Sequence, residues 1–115
     1  MESSPIWRHR MTREAGVSTI LLSGELDLAS ASTVQALLFE QVESPEVTAV
    51  RVDLAGVGFL DSSALGVLIS GLNHAQEEGR GFAVVNPSVA AQRILAVTGL
   101  DEVLCGPEQA AAVPE

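Results

Sequence analysis

Three small polar side chains in a row, Asp61-Ser62-Ser63, are where this chain could best do chemistry. They stand between an alternating apolar run, Val47 to Leu54, and a segment whose apolar residues recur at helical spacing. A serine so placed can be a nucleophile, a helix cap or a phosphoryl acceptor. A nucleophile needs a base within hydrogen-bond reach and a third group to orient that base. The two histidines are His9, near the start of the chain, and His74, further along the same predicted helix as Ser62. At 1.5 Å of rise per residue, His74 lies roughly 18 Å down the helix axis. The residues leading to the serine are Phe59-Leu60-Asp61, which do not form a G-x-S-x-G elbow. The chain by itself is therefore not expected to be an enzyme.

Capping accounts for part of the triplet. The first turn of a helix leaves backbone N–H groups unpaired, and Asp61 or Ser62 can accept from them. One such residue is enough, so a surplus hydroxyl is left for a second role, such as accepting phosphate from an outside kinase. Other chemistries find no support. All six basic residues are arginine, so Schiff-base chemistry and a phosphate-loop lysine are absent. A single cysteine, no H-x-x-x-H and no calcium-type acidic loop argue against a metal. Gly24, Gly56, Gly58 and Gly66 make no phosphate cradle, and no cofactor is expected.

The elements that must carry the triplet follow from the pattern of residues. Ile6 to Arg13 is a weak strand and Glu14-Ala15-Gly16 a turn, followed by a β-branched strand at Val17 to Leu22. Ser30 is expected to cap a helix carrying Val34, Leu37, Leu38 and Val42, which Pro45 ends. Val47 to Leu54 is the best strand, and AGVGFL reads as the loop to the triplet. A second helix runs to about Glu78, with Leu65, Leu68, Leu72 and Ala75 buried, and Gly79 ends it. Phe82 to Val85 is a short buried strand. Ser88 caps a third helix with Ala90, Ile94 and Val97 facing inward. Val103-Leu104 reads as an edge strand, and Pro107 to Ala112 as a last short helix. Strands separated by helices imply mostly parallel pairing with the opening hairpin at one side.

This predicts one α/β domain over residues 1–115, with an ordered core from about 5 to 112. The chain is long enough for one domain, and its 47% hydrophobic content supplies one core. No apolar run is long enough to span a bilayer, and MESSPIWRHR lacks a secretory signal's apolar stretch, so no direct membrane insertion is expected. Cys105 alone cannot form an internal disulfide, which with the missing signal predicts a cytoplasmic location. A net charge of −9 argues against nucleic acid as a partner and suits a basic protein surface, or else keeps the domain soluble.

Three stretches carry a more specific likeness. GELDLASA at Gly24–Ala31, DLAGVGFLDSSALGVL at Asp53–Leu68 and FAVVNPSVAAQRILAVTGL at Phe82–Leu100 resemble the bacterial anti-sigma factor antagonists of the STAS-domain family. The resemblance covers nearly the whole chain. It implies a mixed, mostly parallel sheet packed with about four helices, and a non-enzymatic partner-switching function. An unmodified antagonist of this kind binds an anti-sigma factor that is also a serine kinase and so frees the sigma factor. Phosphorylation by that kinase releases it, and a PP2C-type phosphatase resets it. Matched residue by residue, the resemblance makes Ser62 the phospho-acceptor and, together with Asp27, Asp61, Ser63 and Ala64, part of the partner surface. Ala64 departs from the family's usual glycine, placing a methyl group where a partner's backbone would approach. The alternative implied by the same family is a STAS subunit that docks on a membrane transporter's ATPase and is never phosphorylated.

Overall fold

The computed structural model describes residues 6–105. Their order is β1 (Trp7–Glu14), β2 (Val17–Leu26), α1 (Leu28–Glu43), β3 (Ala49–Leu60), α2 (Ser62–Glu77), β4 (Gly81–Val85), α3 (Val89–Thr98) and α4 (Asp101–Leu104). One four-stranded sheet runs in sequence order β1-β2-β3-β4. β1 pairs antiparallel with β2, whereas β2, β3 and β4 are parallel. The sheet is thus mixed and mostly parallel, with the hairpin at one edge, as expected. The candidate last helix, Pro107 to Ala112, lies outside the described residues.

Alternation decides which face carries the core. Ser18, Ile20 and Leu22 of β2 are buried, as are Val50, Val52 and Leu54 of β3. The apolar ones meet Val34, Leu38 and Val42 of α1 and Leu65, Leu68 and Ala75 of α2 in one cluster. The one polar side chain on this face of β2 is satisfied: Ser18 donates to Gln41 Oε1 of α1 at 2.7 Å. Arg13 donates to the same oxygen at 2.8 Å and pairs with Glu46 at 2.9 Å, which fastens the hairpin to the end of α1.

Five expectations need correction. AGVGFL is not a loop, because β3 continues through both glycines to Leu60. Gly56 is there for close approach: a Cβ on it would lie 2.7 Å from that of Ser23, next to an irregularity in the β2–β3 register. β2 likewise continues to Leu26, past Gly24. There φ is +93°, and a Cβ would lie 2.2 Å from the Ile6 carbonyl oxygen. Ser30 does not cap α1; Asp27 does, three residues earlier. The buried stripe of α3 is Ala91 and Leu95, with Ile94 packed against the core as expected; Ala90 is not fully buried and Val97 is 79% exposed, so the inner face is turned from the expected Ala90-Ile94-Val97 line. Val103-Leu104 belong to α4, not to a strand. Local bonds won over sheet pairing there: Gly99 turns in the left-handed region, and Leu104 N–H then reaches the Leu100 carbonyl at 2.9 Å.

Candidate functional site

β2 and β3 end level with one another, Leu26 opposite Leu60, and each runs directly into a helix through an aspartate. The Asp61 N–H donates to the Leu26 carbonyl at 3.1 Å, which locks the two turns side by side. The carboxyl ends of parallel strands are where open α/β sheets build their sites. Here two helix N-termini meet on one rim.

Both aspartates are extended N-caps, and they do different amounts of work. Asp27 Oδ1 accepts from Ala29 N at 3.0 Å and Ser30 N at 3.3 Å. Ser30 Oγ returns the bond by accepting from Asp27 N at 3.0 Å, completing a capping box, and this serine is buried. Asp61 Oδ1 accepts only from Ala64 N, at 3.0 Å. Capping of α2 therefore falls to Asp61, and Ser62 is left as the first helical residue with an exposed side chain. Its backbone N–H and that of Ser63 have no partner among the described residues. Ser63 is half-buried.

Ala64 takes a different place from the one expected of it. Its side chain is only 6% exposed and joins the core cluster. The methyl group points into the domain, so of the five candidate residues Asp27, Asp61, Ser62 and Ser63 form the rim and Ala64 supports it from below.

Sequence reasoning missed the rim's apolar part. Leu28, the first residue of α1, is 75% exposed, Phe59 near the end of β3 is 49% exposed, and Val89, the first residue of α3, is 76% exposed. The α3 start is tied to the same end of the sheet, since Ser88 Oγ donates to the Val57 carbonyl and Ser88 N to the Leu54 carbonyl. Large apolar side chains at helix starts, out of phase with the buried stripe, were the available signal. Glu25, opposite Phe59 in the register, adds a third exposed or part-exposed carboxylate to Asp27 and Asp61. The rim is acidic with apolar points between the charges.

Neither histidine serves Ser62 as a base. His9 is on β1, stacked on Trp7 at 5.7 Å. His74 is at the other end of α2. Its side chain is 17% exposed, lies 4.4 Å from Phe39 and meets Glu43 at 2.8 Å. Cys105 is buried, and its thiol pKa is raised first by that burial and then by Asp101. Among the described residues no cluster of metal-ligating side chains occurs, and no helix is long and apolar enough to cross a membrane.

A mixed four-stranded sheet with helices starting from a shared acidic rim, and a hydroxyl there that no cap uses, define a small α/β domain built to present a surface. The chain belongs to the STAS domain family: residues 9–106 match the family model described as Mlab, STAS domain. It is similar to the anti-sigma F factor antagonist of Paenibacillus polymyxa, 28% identical over 94 residues that cover 82% of this chain and 80% of that one. The crystal structure of an anti-sigma factor antagonist from Mycobacterium paratuberculosis superposes with a TM-score of 0.77 at 30% identity, covering 90% of this chain and 87% of the other. The phosphorylated form of the Bacillus cell fate determinant SpoIIAA superposes with a TM-score of 0.68, covering 91% and 97%; at 19% identity that likeness concerns the fold.

Proposed function

We propose that this chain is an anti-sigma factor antagonist, switched off by phosphorylation of Ser62. The observation that carries the reading is the exposed Ser62 hydroxyl at the first position of α2, which the Asp61 cap leaves free. The names of its relatives support the same class. In the unmodified state the rim binds a cytoplasmic anti-sigma factor that is also a serine kinase, and the sigma factor goes free. Leu28, Phe59 and Val89 supply apolar anchors, and Glu25, Asp27 and Asp61 face a basic surface. A PP2C-type phosphatase restores the hydroxyl.

The physics of the switch is local. A phosphoryl group adds about −1.5 to −2 charge at neutral pH. The free N–H groups of Ser62 and Ser63 and the α2 dipole favour an anion at that point. This offsets repulsion from Asp27 and Asp61, so the domain stays folded. The partner, shaped to a neutral hydroxyl, must instead bury a bulky dianion without a prepared counter-charge. An uncompensated buried charge costs several kcal/mol, and each 1.4 kcal/mol is tenfold in affinity. A loss of at least about a hundredfold is expected.

Purification of the tagged protein from its native host, with identification of the bound protein, tests the reading. A sigma-regulatory kinase is the expected partner. Its on-rate should fall as salt rises, because the Debye length is only about 8 Å at physiological ionic strength. Recovery of a transporter ATPase in its place would overturn the antagonist reading.

A further inference from the structure

The face of the sheet opposite α1 and α2 carries a depression of about 540 Å³. Its lining follows the register across three strands. Arg10 is paired with Leu21 and Leu21 with Asp53; Arg8 is paired with Ser23 and Ser23 with Gly56. The two arginines of β1 rise on one side, Leu21 and Ser23 of β2 lie between, and Asp53 and Gly56 of β3 close the other side. Ser23 and Gly56, paired across β2 and β3, are both small and leave the space above them open. Its volume is within the range of small-molecule sites, about 300–1,000 Å³.

Charge says what kind of molecule fits. The chain has a net charge of −9, yet Arg8 and Arg10 are exposed and make no ion pair or side-chain hydrogen bond with any described residue. The acid across the hollow is already engaged. Asp53 Oδ1 accepts from Ala55 N at 2.9 Å, and Oδ2 accepts from Asn86 Nδ2 at 2.9 Å. Two guanidinium forks, two residues apart on one face of a strand, match the oxygens of a carboxylate or phosphate. Leu21 offers an apolar floor beside them.

We propose that this hollow is a binding site for a small organic anion, a carboxylate or phosphate carried on an apolar body. The inference stands apart from the role of Ser62, which lies on the rim at the helix starts. A different explanation of the same residues is that arginines on an edge strand only discourage strand-to-strand association.

Titration of the ¹⁵N-labelled protein with phenyl phosphate, followed by amide chemical shifts, separates the two. Saturable shifts confined to Leu21–Ser23 and Ala55-Gly56 and their β1 neighbours are expected. Phenol and inorganic phosphate, each half of the probe, should bind at least tenfold more weakly. The Arg8→Gln/Arg10→Gln variant should lose at least tenfold in affinity while its thermal midpoint stays within the range of a surface change. Shifts that never saturate, that scatter over other arginines, or that survive in the double variant would overturn the proposal. So would a wild-type protein that sediments with anionic phospholipid vesicles while ignoring phenyl phosphate, since the arginines would then serve a lipid surface.

Discussion

Two helices begin side by side at the same edge of the sheet, each after an aspartate, and each has a serine within its first turn. In α1 the serine is Ser30, buried, its hydroxyl engaged in a reciprocal box with Asp27. In α2 the serine is Ser62, exposed, and Asp61 caps the helix without it. The difference shows how a fold sets a side chain aside. Ser30 is three positions after its cap and turns back to it; Ser62 is one position after its cap and points outward. The same residue type is structural at one spacing and available at the other.

The largest effect should fall on what the two helices share. Leu38 of α1 and Leu68 of α2 are almost fully buried in the same cluster. Leu38→Ala and Leu68→Ala should each cost about 2–5 kcal/mol, read from denaturant unfolding, and remove any distinction between the helices. The caps come next. Asp27 accepts two N–H bonds and donates its own N–H to Ser30 Oγ, while the Asp61 side chain accepts one. Asp27→Ala should cost about 2 kcal/mol and Asp61→Ala about 1 kcal/mol by the same measurement. Equal costs would mean that the box adds nothing to α1.

The serines sharpen the contrast further. Ser30→Ala removes a buried, bonded hydroxyl and should cost about 1 kcal/mol. Ser62→Ala touches nothing that holds the fold and should stay within about 0.5 kcal/mol of the parent. A Ser62→Ala variant as unstable as Ser30→Ala would make Ser62 a structural residue and undo the comparison. The smallest effect concerns Cys105. Burial raises its pKa and keeps it a thiol at neutral pH, so it should react with a thiol reagent far more slowly in the folded protein than in denaturant.

Much of this rim was legible in the sequence. The strand-to-helix transition at Asp61-Ser62 follows from alternation giving way to helical spacing, and the surplus of small polar residues over what a cap requires marked the hydroxyl. What sequence reasoning misplaced was decided by neighbours. Gly56 and Gly58 look like strand breakers, yet Gly56 is in the strand because Ser23 approaches it there. Ser30 and Asp27 both qualify as caps, and local propensity does not choose between them; the level ends of β2 and β3 put Asp27 at the helix start. Val103-Leu104 is too short a run for its pattern to decide between strand and helix. The exposed Leu28 and Val89 stand out only once the buried phase of α1 and α3 is known, and Phe59 only once β3 is seen to run on to Leu60. The hollow beneath Arg8 and Arg10 needed the register across three strands.

One hydroxyl decides the switch, and one measurement addresses it. The parent, Ser62→Ala and Ser63→Ala proteins are incubated with the native anti-sigma factor kinase and ATP, and the modified residue is located by mass spectrometry. A single phosphate is expected on Ser62 in the parent and in Ser63→Ala, and none in Ser62→Ala, which should stay bound to the kinase. Phosphate on Ser63 alone would move the switch by one residue, and an unmodified parent would contradict it.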